Sequence, residues 1–202
     1  MKINKKEILK NIPDKIQNSW TTSLKFKEDL IDFCDDKFLN KTVLEIGTFH
    51  GHTTRILSYL FKNVLTIDNN PQFMDEAVKL NTDRNNIEYL LGDIYDYQDL
   101  PAFDNFKNQK VDVVFIDAVH KYRYVIVDTI NSLKAFKDIH LIYDDYGAVP
   151  QVKRAIDDCL ELGIIELVGY LGHEEGLDIK KDGKNQMLKG REGIICKSRN
   201  LK

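Results

Sequence analysis

Glu45-Ile46-Gly47-Thr48-Phe49-His50-Gly51-His52-Thr53 follows the apolar run Thr42-Val43-Leu44 and leads into Thr54-Arg55-Ile56-Leu57-Ser58-Tyr59-Leu60-Phe61. It reads as strand, glycine turn, helix. Glycine is used where a backbone must take φ > 0 or admit a close neighbour, and a helix that starts directly after such a turn offers unpaired N–H groups to an anion. The turn is therefore a ligand-binding candidate, with a purely structural turn as the plain alternative. Its spacing, Glu-x-Gly-x-x-x-Gly, differs from the dinucleotide fingerprint Gly-x-Gly-x-x-Gly, because Phe49 stands where that pattern has its second glycine. A nicotinamide cofactor is thus the second choice of ligand.

Working outward, Asn63-Val64-Leu65-Thr66-Ile67-Asp68 is a short apolar strand ending in a carboxylate. That places Asp68 at a second strand tip, where a carboxylate can accept both hydroxyls of a ribose. A helix through Phe73, Ala77, Val78 and Leu80 leads to Ile87-Glu88-Tyr89-Leu90-Leu91 and the turn Gly92-Asp93. Val111-Asp112-Val113-Val114-Phe115-Ile116-Asp117 is nearly continuous in apolar character, as expected for a strand covered on both faces. It is followed by Ala118-Val119-His120 and a helix through Tyr124, Val125, Val127, Ile130, Leu133 and Phe136. A fifth strand, Ile139-His140-Leu141-Ile142-Tyr143, ends at Asp144-Asp145. After a helix through Val152, Ala155, Ile156 and Leu160 come Ile164–Tyr170 and Gly193–Cys196. These two are separated by polar residues 172–192 with no helical pattern, so an antiparallel pair is expected.

The pattern is α/β: one Rossmann-like domain with a mostly parallel seven-stranded sheet, an antiparallel C-terminal strand pair, and helices on both faces. Residues 1–40 read as a helical segment that packs on or covers the ligand site, with Ser19 or Thr21 as candidate helix caps and Trp20 as a packing anchor. Residues 41–202 form the main domain. With 29 Lys+Arg against 32 Asp+Glu, the net charge of −3 leaves no global positive field for a polyanion, so nucleic acid is disfavoured as a partner. Cys34, Cys159 and Cys196 are odd in number and far apart, which fits reduced thiols in a cytoplasmic protein. No apolar run approaches the ~20 residues of a membrane span, so no membrane partner is expected.

Gly47, Asp68, Gly92-Asp93, Asp117 and Asp144-Asp145 all fall at the carboxyl ends of strands, the edge where such sheets bind ligands. Three like-charged acids at two adjacent tips, Asp117, Asp144 and Asp145, suit a hard cation such as Mg²⁺, Mn²⁺ or Ca²⁺. The alternative is that these acids cap helices or pair with Lys121 or Arg123.

Here the sequence resembles a known family. Glu45 through Thr53 is similar to the first motif of class I S-adenosylmethionine-dependent methyltransferases, in the form found in small O-methyltransferases related to catechol O-methyltransferase. Phe115-Ile116-Asp117-Ala118 with Tyr124 resembles that group's fourth-strand motif, and Ile142-Tyr143-Asp144-Asp145 its Asp-Asn metal pair. The resemblance implies that 41–202 is a methyltransferase domain. It also implies S-adenosylmethionine at Glu45, Gly47, Thr48 and Thr53 (methionine part), at Asp68 (ribose), and at Gly92, Asp93 and Ala118 (adenine), with Gly51 and Asn69 among the cofactor-binding residues. Metal is implied at Asp117, Asp144 and Asp145. Two positions depart from the catechol-type pattern: His120 replaces a lysine, and Asp145 an asparagine. The resulting Asp-x-x-His variant is similar to a broader branch whose acceptors include sugars.

Methyl transfer to oxygen needs a nucleophile held in line with the methyl and a base or cation to take its proton. Asp117 and His120 are the catalytic candidates, and an imidazole with an ordinary pKa near ~6.5 suits the task. His50 and His52 are expected to shape the pocket, and His173, Glu174 and Glu175 to belong to a solvated loop. The expected activity is O-methylation of a small-molecule hydroxyl on a sugar, phenol or natural-product intermediate, with a homodimer left open. The competing expectations are a nicotinamide-dependent oxidoreductase and a cofactor-binding protein without catalysis.

Overall fold

The computed structural model describes residues 4–12, 22–95, 106, 108–172 and 191–199. Its seven strands are β1 (Thr42–Ile46), β2 (Asn63–Asp68), β3 (Ile87–Leu91), β4 (Val113–Ile116), β5 (His140–Tyr143), β6 (Ile165–Leu171) and β7 (Gly193–Ser198). They form one sheet in the order β3-β2-β1-β4-β5-β7-β6. The first five are parallel, and β7 runs antiparallel to both β5 and β6. Strand order reverses between β1 and β4, so the crevice for a ligand opens at the tips of those two strands.

Side-chain alternation divides the strands between two cores. Leu44, Ile46, Leu65, Ile67, Val114, Ile116 and Leu141 face α5 (Tyr122–Ala135) and α6 (Pro150–Glu161). Val43, Val64, Val113, Phe115, Ile142 and Ile195 face α1 (Lys5–Lys10), α2 (Leu24–Cys34) and α3 (His52–Leu60). Both faces are covered, which is why β4 shows no polar alternation. α4 (Pro71–Leu80) begins with the Asn70 side chain accepting from Gln72 N–H and Phe73 N–H, and Pro71 takes the first helical position, where no N–H is needed.

The helix after residue 20 starts later than the sequence suggests. Ser23 is the cap of α2, its hydroxyl accepting from Phe26 N–H at 3.1 Å, whereas Ser19, Trp20 and Thr21 lie outside the described residues. α2 buries Phe26, Leu30 and Ile31, and Phe26 meets Phe115 of β4 edge-on at 6.2 Å. Burial of such a ring contributes about 3 kcal/mol. The same helix holds both described ends of the β6–β7 connection. Asp29 accepts from Gly172 N–H at 3.0 Å, and the buried Glu192 carboxylate accepts from Ser23 N–H at 2.7 Å and from its hydroxyl. His173, Glu174 and Glu175 lie outside the described residues. All three cysteines are buried and free.

Candidate functional site

At the carboxyl ends of β1 to β4 lies a cavity of about 320 Å³. Its wall includes Gly47 from the glycine turn, Asp68, Asn69 and Phe73 from the β2–α4 corner, Gly92, Asp93 and Tyr95 after β3, and Asp117, Ala118 and His120 after β4. Eight residues expected from sequence thus share one cavity: Gly47, Asp68, Asn69, Gly92, Asp93, Asp117, Ala118 and His120. The structure places Glu45, Thr48, Gly51, Thr53, Asp144 and Asp145 outside its lining.

Local geometry explains the turn. Gly47 has φ +99°, and a Cβ there would lie 2.1 Å from the carbonyl oxygen of Asp117. Any side chain would pry the β1 and β4 tips apart. Gly51, at φ +79°, serves packing: its Cβ would meet the Cβ of Ala77 at 2.7 Å, so the glycine lets α3 close on α4. Phe49 keeps φ +48° without being glycine and turns its ring onto Phe73 at 4.6 Å. A left-handed phenylalanine costs about 1 kcal/mol, and here it supplies an aromatic wall that a second glycine would lack.

Asp68 latches this turn. Its Oδ2 accepts from Thr48 N–H at 3.0 Å and Phe49 N–H at 2.9 Å, and its Oδ1 accepts from Asn70 N–H at 2.9 Å. Asp93 is oriented in the same manner, accepting from Tyr95 N–H at 2.9 Å and from the Asn69 amide at 3.3 Å. Strand parity sends Glu45 to the opposite face from Ile46, toward α3. It is fully buried, and its Oε2 accepts from Thr54 and Thr66 hydroxyls, each at 2.6 Å, while Oε1 has no partner. Burial, reinforced by the nearby charges of Asp117 and Asp68, pushes its pKa up to about 8 against the lowering effect of the two threonines.

At the other end of the cavity His120 bridges two acids. Nε2 lies 3.1 Å from Asp117 Oδ1 and Nδ1 lies 3.1 Å from Asp145 Oδ2. Donor atoms of Asp117, His120 and Asp145 fall within 4.8 Å of one another, a set of two carboxylates and an imidazole that fits a divalent cation. Asp144 is not part of that group. Its Oδ1 is buried without a hydrogen bond, and burial, with Asp117, Asp145 and Glu192 adding repulsion, holds its carboxyl well above the usual range. The capping alternative has no support at these acids: the first residues of α5 and α6 follow Lys121 and Val149, neither end with a side-chain cap.

Sequence reasoning missed the aromatic and apolar lining: Phe49, Phe73, Ile94, Tyr95 and Val119. Phe49 was visible as the break in the glycine pattern. Tyr95 was not, because nothing in its neighbours marks it as facing a cavity.

The strand order 3-2-1-4-5-7-6, the glycine turn after β1 and the acids at the tips of β2 and β4 define a class I methyltransferase fold. The methyltransferase-domain family matches residues 44–146, just over half of the chain, and the chain belongs to that family. No curated protein matches at a significant level. Among solved structures, an O-methyltransferase from Bacillus cereus in complex with SAH is similar over 96% of this chain and 90% of its own, at 17% identity and TM-score 0.63. The cofactor-bound Rv0187 from MTB shares 15% identity over 96% of this chain and 88% of its own, at TM-score 0.67. Fibrillarin from Aeropyrum pernix, with natively bound S-adenosyl-L-methionine, shares 16% identity over 81% and 68%, at TM-score 0.55. At these identities the likeness is one of fold. No described helix is long and apolar enough to cross a membrane.

Proposed function

We propose that the protein uses S-adenosylmethionine to methylate a hydroxyl of a small molecule. The observation that carries this reading is the single cavity that gathers Gly47, Asp68, Asn69, Gly92, Asp93 and Ala118 beside Asp117 and His120. S-Adenosylmethionine supplies an electrophilic methyl group on sulfur. Asp68, whose three backbone hydrogen bonds fix its carboxylate, would hold the ribose; Gly92, Asp93 and Ala118 would hold the base, and the bare backbone at Gly47 would admit the amino-acid end. Glu45 at the end of β1, Thr48 and Gly51 in the turn, and Thr53 at the start of α3 would act by shaping that backbone.

Transfer to oxygen releases the acceptor's proton. His120 lies at the cavity wall between two carboxylates, which orient its ring, so an imidazole nitrogen is placed to take that proton while Asp117 and Asp145 balance the charge that forms. A divalent cation such as Mg²⁺ held by Asp117, His120 and Asp145 would supply the same activation by lowering the acceptor's pKa, with Asp144 behind that set. The acidic rim and net charge of −3 favour a small acceptor over nucleic acid, although the fold is shared with fibrillarin. Reduced cysteines fit a cytoplasmic setting, and α1 and α2, which pack on the sheet with α3, would be the helical flank of a 41–202 domain.

Calorimetric titration of the full chain with S-adenosylhomocysteine and, separately, NAD tests the reading. Binding of the first and not the second is expected. The reverse would replace the methyltransferase with a nicotinamide enzyme.

A further inference from the structure

Asp128 is a fully buried acid with no part in the chemistry above. It sits on the inner face of α5, in register with Val125, Thr129 and Ser132, and its Oδ2 accepts from the Tyr95 hydroxyl at 2.9 Å while Oδ1 has no partner. An acid so placed costs stability unless hydrogen bonds or a proton compensate it. Its one described side-chain partner lines the cavity. The Val119 backbone also lies beside that hydroxyl, so Tyr95 brings together the loop after β3, the loop after β4 and α5. Tyr95 is further fixed by its ring contact with Tyr124 at 4.5 Å, and its own N–H orients Asp93. One phenol therefore spans the end of the cavity where Gly92, Asp93 and Ala118 converge.

We propose that Asp128 is a positioning residue that holds Tyr95 across the β3 and β4 tip loops, and that this tether sets the width of the slot receiving the adenine base. The inference rests on the cofactor reading above. The tether requires an acceptor at position 128, not a charge. Burial pushes Asp128 up to about 7, so a neutral carboxyl is accessible near physiological pH and an amide is a fair substitute. Burial and Asp128 together drive Tyr95 far above the ordinary phenol range, which keeps it a hydrogen-bond donor.

The test has two arms on the full chain. Amide hydrogen exchange without ligand reads the tether itself: Tyr95→Phe and Asp128→Leu should speed exchange in residues 92–95 and 118–120, whereas Asp128→Asn should leave it at the wild-type rate. Calorimetry with S-adenosylhomocysteine reads the consequence. Asp128→Asn should bind within about threefold of wild type, and Tyr95→Phe and Asp128→Leu should lose about tenfold, the size of one hydrogen bond. Equal loss in Asp128→Asn and Asp128→Leu would make the effect one of packing and overturn the proposal. So would wild-type exchange and affinity in Tyr95→Phe. Accelerated exchange in a protein that binds no S-adenosylhomocysteine would keep the tether, refute its role at an adenine slot, and overturn the cofactor reading.

Discussion

Glu45→Gln tests whether the acid of the glycine-turn motif acts through burial or through the ligand. An ordinary glutamate value is 4.5, and in the folded protein it stands at about 8. Between those values the folded chain holds a proton that the unfolded chain has lost, so stability falls as pH rises across that window and the loss is complete above about 8. At about 1.4 kcal/mol per tenfold change in proton affinity, the full effect is on the order of 5 kcal/mol, a large part of the ~5–15 kcal/mol that holds a domain folded. Glutamine keeps an oxygen to accept from Thr54 and Thr66, and its amide nitrogen replaces Oε1, which has no partner to lose. The variant should match wild type at pH 5 and exceed it increasingly toward pH 9, as read by urea unfolding at five pH values. Asp128 and Asp144 also carry raised values, so the diagnostic is the difference between the two proteins, not the wild-type slope alone. Parallel curves for the two would refute the buried, protonated Glu45. Affinity for S-adenosylhomocysteine should hardly change, because the side chain faces α3.

Gly47→Ala should unfold at markedly lower temperature or lose ligand binding altogether, since its methyl would need the space of the Asp117 carbonyl; a melting curve superimposing on wild type would show that the strand tips are not in contact. Asp68→Ala should weaken S-adenosylhomocysteine by at least the ~1.5–3 kcal/mol of hydrogen bonds to a charged group, because it also releases the turn; unchanged calorimetric affinity would remove Asp68 from the site. Were a divalent cation on Asp117, His120 and Asp145 the activator, chelation with EDTA should abolish turnover while S-adenosylhomocysteine still binds; full activity in excess chelator would assign proton removal to His120, with Asp117 and Asp145 as its orienting groups. His120→Ala should lower kcat by roughly 10²–10⁴ with little change in cofactor affinity, and near-wild-type kcat would assign proton removal elsewhere.

The strands were legible because strands covered on both faces show as apolar runs: β2 and β3 match their expected limits, and β4 starts two residues later than expected, at Val113, and ends one earlier, at Ile116. The strand-tip acids were legible for the same reason, each being the first carboxylate after such a run. What the pattern could not convey was which way neighbours point. Asp144 and Asp145 are adjacent, so one reaches His120 while the other is driven inward, and no spacing rule states which. α5 shows a related limit. Of the apolar positions that marked this helix, Val125 is fully buried and Leu133 packs against the core, but Asp128, Thr129 and Ser132 are fully buried beside them, where hydroxyls and an acid find partners inside. Hydrophobic periodicity cannot register a buried polar face.

The position of β7 has a consequence for biosynthesis. It is made after β6 yet lies between β5 and β6, with ladders to both. While the ribosome is still adding residues 172–192, β5 has an open edge and β6 has no neighbour. The sheet cannot close until Gly193–Ser198 has emerged and slid into a gap bordered on both sides. Native pairing there waits on the last strand to be made, and the nascent chain meanwhile exposes two unpaired strands suited to association with other copies. Recognition of these edges by a chaperone would matter most in that interval, and chains truncated and released before residue 193 should be far more prone to aggregate than chains released beyond Ser198.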